Sequence, residues 1–551
     1  MINDETEQCS RLVLINGNPK YYHTIILLKE IKEFKNNELE IIEIENVNAS
    51  SSPPKRADYI HICVEYQENS WDPLDKFVSF LKKNKTIVDD AKEIGVYIHF
   101  QPGKSWKEYS PKDLREYKSF LKYIKDSCGD KVTQFAIIDK YDMETVYMME
   151  DEDKEDELKE EIQSDIIYWN NLRTLDYCES SIRKFPDIKL PDTLEFLNIG
   201  GGYALDSLRG FKMPPKLKVL RAGHGAIAFL ENVIFPDTLE ELDLTENKLY
   251  FLDGIKFPPN LKHLDVSQNR IEDLKFANFP NSLETLSLGF NPIETMKGAK
   301  FPPNLKQLEI SNTPNESMAG VKFPESLEIL NLQTAMSGSK GLKLPTKVKT
   351  LILSENEITS IGPLKIPPTV EILYLNGNKI KTLNKITFPP NLKELRIGDN
   401  LLTTLKNVNF PPTLEILDID NNPDSYAVNE KQIITLKDVI LPPNLKVFKL
   451  GYHGLRVLEN YEFPSTLKTL SLAYNELKYI RNIKFPNLTL LDLSGNEELI
   501  TLDGIDIPES VTEFRVSPDL LPNLPAKVTE RANNNNLTIK QSAPKPELLF
   551  M

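Results

Sequence analysis

From residue 166 onward, apolar and polar positions follow one template. In Leu261-x-x-Leu264-x-Val266 the last positions alternate with period two, which predicts a short strand with one buried face. Asn269 follows, and Ile271 and Leu274 then bring the chain back to the apolar side. The phrase recurs: prolines three residues ahead of the first apolar position run from Pro191 to Pro508, mostly 22 residues apart, with one step of 31 between Pro411 and Pro442. A unit this small cannot shelter its own apolar face, so it must stack on copies of itself.

The template dictates the geometry of the stack. Identical connections place successive strands parallel, about 4.8 Å apart. Asn recurs in one phase, at 247, 269, 291, 356, 378, 400, 422, 475 and 496, where the chain turns away from the strand. Its amide both donates and accepts, so it suits backbone groups left open at that turn. Pro-Pro pairs lack N–H groups and favour an extended return over a helix, with Phe257 entering the core from the outer side. Leu172 and Leu175 open a first, proline-less turn. Downstream, Pro525, Val528 and Asn536 keep the phase, while Arg531 replaces an apolar residue, as a capping repeat would.

These residues resemble leucine-rich repeats over roughly residues 166 to 538. The unit L-x-x-L-x-L-x-x-N-x-I-x-x-L is similar to the class in the leucine-rich regulatory subunit of protein phosphatase 1. Its P-x-x-L opening is reminiscent of FNIP-type repeats and of bacterial effector repeats. It lacks the regular Phe-Asn of the former and a following Cys-containing catalytic domain of the latter. The resemblance implies a curved solenoid with a parallel β-sheet on its concave face.

The first 148 residues have another texture. RLVLING (11–17), LEIIEIEN (39–46), YIHICVEY (59–66), VYIHF (96–100) and TQFAIID (133–139) are strand-like, with helical patterns such as PKDLREYKSFLKYIKDSC among them. The expected organisation is a small N-terminal α/β domain (1–148), an acidic linker or helix (149–165), the solenoid (166–538) and a tail (539–551). The segment EDEDKEDELKEE carries nine acids against two lysines, about half of the formal charge of −15. That charge argues against nucleic acid as a partner. No run of eighteen apolar residues or basic-then-apolar leader marks a membrane protein, and four scattered cysteines form no disulfide framework. A cytoplasmic or nuclear chain, monomeric on its own, is expected; four Asn-x-Ser/Thr matches are then fortuitous.

Catalytic constellations are not found. Six histidines show no metal spacing, Gly17 and Lys20 lack the rest of a phosphate loop, and no nucleophile elbow occurs. The expectation is a non-enzymatic protein with no cofactor or metal. Function then falls on the variable positions beside each strand leucine. Ile329, Ile352, Ile372, Tyr374 and Ile416 form an apolar, aromatic-anchored patch suited to a protein partner on the concave face. Asp418 and Asp420 border the insertion that lengthens one repeat, with Tyr426 as its anchor, and Glu241, Asp243, Asp265 and Glu309 offer an acidic stretch for basic side chains. Two other functions compete with a scaffold: a substrate-recognition subunit of a ubiquitin ligase, and an enzymatic N-terminal domain with the array as its targeting arm.

Overall fold

The structure is a computed structural model and describes residues 8–16, 39–43, 56–66, 81–100, 111–138, 169–177, 189–201, 205–315, 317–421 and 435–541, with 78 and 203. The acidic segment 150–161, Asn422 and Tyr426 lie outside the described residues. The chain divides into two compact units, one of residues up to 271 with 276–286, the other of 272–275 with 287 onward.

The first unit begins with five parallel strands, β1 Gln8–Asn16, β2 Leu39–Glu43, β3 Arg56–Tyr66, β4 Glu93–Phe100 and β5 Val132–Ile138, in the order 2-1-3-4-5. A short helix α1, Lys85–Asp90, precedes β4, and α2, Pro111–Cys128, leads into β5. Tyr117, Phe120, Leu121, Ile124 and Cys128 are buried along α2, the stripe that a 3.6-residue period lays on one face. Burial pushes the Cys63 and Cys128 thiols up to about 12, which keeps both protonated and inert.

The sheet does not stop where the repeats start. Gln134, Phe135 and Ala136 of β5 pair in register with β6, Thr174–Asp176, and Trp169 packs its ring 5.6 Å from that of Phe135. From there β7 Phe196–Asn198, β8 Val219–Arg221, β9 Glu241–Asp243 and β10 His263–Asp265 follow as parallel neighbours, then β11 Thr285–Ser287. The α/β segment is thus continuous with the array through backbone hydrogen bonds.

In the second unit, β12 Gln307–Glu309, β13 Ile329–Asn331, β14 Thr350–Ile352, β15 Ile372–Tyr374, β16 Glu394–Arg396, β17 Ile416–Asp418 and β18 Val447–Lys449 stack in parallel. The return segments add β19 Val457–Glu459 and β21 Tyr479–Arg481, which pair with each other. The main stack continues through β20 Thr469–Ser471, β22 Leu490–Asp492, β23 Glu513–Val516 and β24 Thr538–Gln541. The insertion after Asp420 leaves the register of β17 on β18 intact. Between residues 189 and 515 the described returns contain no α-helix, as the Pro-Pro pairs predict. Phenylalanines of successive returns stack on the outer side, with ring centroids 6.1 Å apart for Phe257 and Phe279 and 5.8 Å for Phe388 and Phe410.

The asparagines occupy the core edge as expected. Asn378 Oδ1 accepts the Ile358 and Asn356 N–H groups at 2.9 and 3.1 Å, and its Nδ2 donates to the carbonyls of Leu353 and Leu375 at 3.0 and 2.9 Å. One side chain therefore ties its own turn to the preceding one. The residue just before it is left-handed in turn after turn, including Glu246, Gln268, Glu355, Asp399 and Tyr474, with φ between 51° and 57°. Closing a strand into a return within so few residues demands that conformation, and the buried amide holds it.

Some turns depart from the rule, with Gly225, Thr313, Ala335 and His453 standing where the others have asparagine. His453 is buried, with Nε2 2.7 Å from the Ile419 carbonyl, and burial lowers its pKa to about 4. At the far end α3, Ala526–Asn533, replaces a regular turn. Its Arg531 donates to the carbonyls of Ile507, Pro508, Glu509 and Val511, which explains the charge at a position where leucine was expected.

Two outcomes are expected in equilibrium unfolding. Asn378→Ala strands buried donors and acceptors on two turns and should cost about 3 kcal/mol by urea titration. For His453, the folded pKa of about 4 lies below the ordinary 6.5. Its contribution is therefore whole above pH 6.5 and is lost as pH falls through the folded value. The stability difference between His453→Asn and the natural chain should grow in favour of the variant by about 3 kcal/mol from pH 7 to below 4. A difference independent of pH would rule out a neutral buried imidazole.

Candidate functional site

From β6 to β22 each strand is three residues long, with a buried middle leucine or equivalent; the residues on either side of it lie on the opposite face and are mostly half-buried. Strand register sorts these flanking residues into two rows. The first runs Ile329, Thr350, Ile372, Glu394, Ile416, Val447; the second runs Asn331, Ile352, Tyr374, Arg396, Asp418, Lys449. The five apolar candidates do share one face of β13 to β17. Ile352 sits beside Tyr374 in the second row, away from the other isoleucines.

A polar cluster lies at the centre of this face. Tyr374 donates its hydroxyl to Glu394 Oε1 at 3.0 Å, Arg396 Nε reaches the same oxygen at 2.6 Å, and the guanidinium sits 5.1 Å from the Tyr374 ring centroid. Burial, with the Glu394 carboxylate adding to it, raises the Tyr374 pKa, so the phenol stays a donor. The cluster is preorganised, since each group is fixed by the other two. Arg396 was visible as a strand-flanking residue; its bond to Glu394 lies within β16, whereas its approach to Tyr374 crosses to β15.

The acidic candidates are placed differently. Asp418 is buried, takes Lys449 Nζ at 2.9 Å, and accepts the Asp420 N–H at 3.3 Å. Asp243, Asp265 and Asp492 likewise accept the N–H two residues on, at 2.9, 2.9 and 3.0 Å, so these carboxylates cap strand ends. Glu241 pairs with Arg221 at 3.2 Å. Asp420 accepts the Gly451 N–H at 2.6 Å, and burial pushes its pKa up to about 6. Beyond it, Tyr452 and Tyr474 stack at 4.6 Å with 11° between their planes. Gly495 continues that column, where an added Cβ would lie 2.4 Å from the Tyr474 ring.

The residue ahead of each strand carries a pattern of its own. Glu195, Lys218, Glu240, Lys262, Glu284, Lys306, Glu328, Lys349, Glu371, Lys393, Glu415 and Lys446 alternate in charge turn by turn. Five of these lysines reach back to the glutamate of the preceding turn, at 2.6 Å for Lys218–Glu195 and Lys262–Glu240, 2.8 Å for Lys349–Glu328 and 2.7 Å for Lys393–Glu371 and Lys446–Glu415. A second signal runs in parallel. Thr238, Ser326, Thr369 and Thr413, two residues ahead of Glu240, Glu328, Glu371 and Glu415, donate their hydroxyls to carbonyls of the preceding turn. The chemical repeat is therefore two turns, a period legible in the sequence only when the positions between the leucines are read down the stack.

Among the described residues no group of three His, Cys, Asp or Glu is arranged to hold a metal ion. A cavity of about 320 Å³ opens at the start of β4 to β8, and its walls carry the ion pairs Arg173–Glu93, at 3.2 Å, and Lys218–Glu195. No histidine or cysteine lines it.

The family model for leucine-rich repeats, as two copies, matches residues 259–300. No curated protein matches the sequence. Among solved structures, the Toll–Spatzle complex of Drosophila contains a chain similar to this one at a TM-score of 0.52 and 15% identity, covering 89% of this chain and 68% of that one. YopM from Yersinia enterocolitica is 22% identical at a TM-score of 0.44, covering 63% of this chain and 74% of its own. The repeat template, the parallel strands with their buried asparagines, and the family match together make this chain a leucine-rich repeat protein.

Proposed function

We propose that this chain is a non-enzymatic scaffold that grips a partner protein along the exposed face of β13 to β17. The observation that carries this reading is the Tyr374–Glu394–Arg396 cluster, held rigid among half-buried Ile329, Ile352, Ile372 and Ile416. Tyrosine and arginine supply contact area and directed donors, while branched aliphatic neighbours exclude water around them. Strands pinned by backbone and asparagine bonds lose little freedom on binding, so most of the contact energy is retained as affinity. Toll in its complex with Spatzle is a similar fold engaged with a protein. Asp418 serves as a support in this reading, because its carboxylate is already committed to Lys449 and to its own strand end. The amino-terminal sheet caps the first turn, a role supported by the β5–β6 pairing.

The double substitution Ile372→Asp with Tyr374→Ala should abolish capture of the main cellular partner in an affinity pulldown while leaving the far-ultraviolet circular dichroism unchanged. Capture at the natural level by a folded double variant would remove this face from consideration.

A further inference from the structure

Over β13 to β17 the isoleucines of the first row fall in step with the two-turn chemical repeat. Ile329, Ile372 and Ile416 each follow a glutamate, Glu328, Glu371 and Glu415, whereas the strands that follow a lysine place Thr350, Glu394 and Val447 in the same row. The isoleucines therefore stand on alternate strands, about 9.6 Å apart along the stack at an ordinary strand spacing of about 4.8 Å. Such a row is a ruler, and it matches only some partners. An extended strand repeats a face about every 6.7 Å. An α-helix returns a residue to the same line after seven positions, about 10.5 Å. A polyproline II helix returns every third residue, about 9.3 Å. Across both intervals of the row the last drifts by about 0.6 Å and the helix by about 1.8 Å.

The polar groups between the isoleucines fit the same guest. A polyproline II segment makes no internal hydrogen bonds, so its carbonyls need donors from the surface that binds it. The Thr350 hydroxyl, the Asn331 amide and the Arg396 N–H groups beyond the one given to Glu394 lie in the two rows beside Ile329, Ile352 and Ile372. Tyr374 offers a ring face of the kind on which proline packs. Charge sets the direction. Around β16 and β17, the carboxylates of Glu394, Asp399, Asp418 and Asp420 outnumber the cations of Arg396 and Lys449. The end of the guest lying there should be basic.

We infer that the strand face from β13 to β17 recognises a proline-rich segment in the polyproline II conformation, with an apolar residue at every third position and a basic residue over β17. This inference rests on the scaffold reading above and names the chemistry of its partner.

The test uses the full chain and fluorescence anisotropy with three labelled peptides of equal net charge. One repeats Pro-Pro-Leu four times and ends in Arg-Arg; one has that composition in shuffled order; one is an amphipathic helix with leucine at every seventh position. The repeating peptide should bind about tenfold more tightly than either of the others. Ile372→Ser should weaken it about fivefold. Thr350→Ile, which adds apolar surface out of phase with the ruler, should also weaken it, whereas a face that is merely sticky would bind better. Ile234→Ser, at an exposed residue of the first unit, should change nothing. Equal binding of the shuffled peptide, or no binding of the repeating one, overturns the proposal. Preferred binding of the helical peptide, lost in Ile372→Ser, overturns it too but leaves the docking face standing. Capture of the cellular partner that ignores the Ile372→Asp, Tyr374→Ala pair would instead remove the face itself.

Discussion

Most turns of the array depend on one buried amide. A strand of three residues gains little from its own ladder, and the sharp bend after it exposes backbone groups that water no longer reaches. The asparagine side chain answers both problems by accepting from one turn and donating to two. It also makes a left-handed residue tolerable beside it, so that bulky side chains such as Tyr474 occupy a conformation usually left to glycine. Leucine burial supplies the bulk of the driving force, but it is non-directional. The amide converts stacked apolar surface into a single register.

That register decides which polar groups remain for recognition. Most strand-face carboxylates are consumed inside the stack, as strand-end caps or as partners of the next turn's cation, and the Glu/Lys column ahead of the strands is neutralised pair by pair. Exposed pairs of this kind add little stability, yet like charges on adjacent strands would be repulsive, so the alternation is best understood as a register device. What is left outward is a small central cluster around Tyr374 and Arg396, bordered by isoleucines. Recognition on this face is therefore governed by shape and spacing more than by net charge.

The repeat template was legible because its residues do their work within one turn: proline breaks the helix, leucine alternates, asparagine closes the bend. All five amino-terminal strands and α2 were visible for the same reason, being set by local periodicity. Features made across turns were hidden. The Asp418 carboxylate meets Lys449, 31 residues later, and Arg531 meets carbonyls at least 20 residues earlier. His453 stands in for asparagine because its Nε2–H reaches the carbonyl that an amide would have met. The candidate patch was legible as a set of positions, but its division into two rows and the position of Arg396 over Tyr374 needed the register. The junction with the amino-terminal strands was equally silent, since backbone pairing between β5 and β6 leaves no side-chain signature.

The back-reaching lysines carry a consequence for how such an array lengthens or shortens. Excising or duplicating a single turn anywhere between Glu195 and Lys446 would bring two side chains of the same sign into adjacent strands, whereas an even number of turns restores the sequence of signs. The nine-residue insertion leaves this order of signs intact, and Glu415 still meets Lys446 at 2.7 Å. Parity is thus a constraint on editing this part of the array, although Lys446 and Lys468 place like charges on adjacent turns just beyond it.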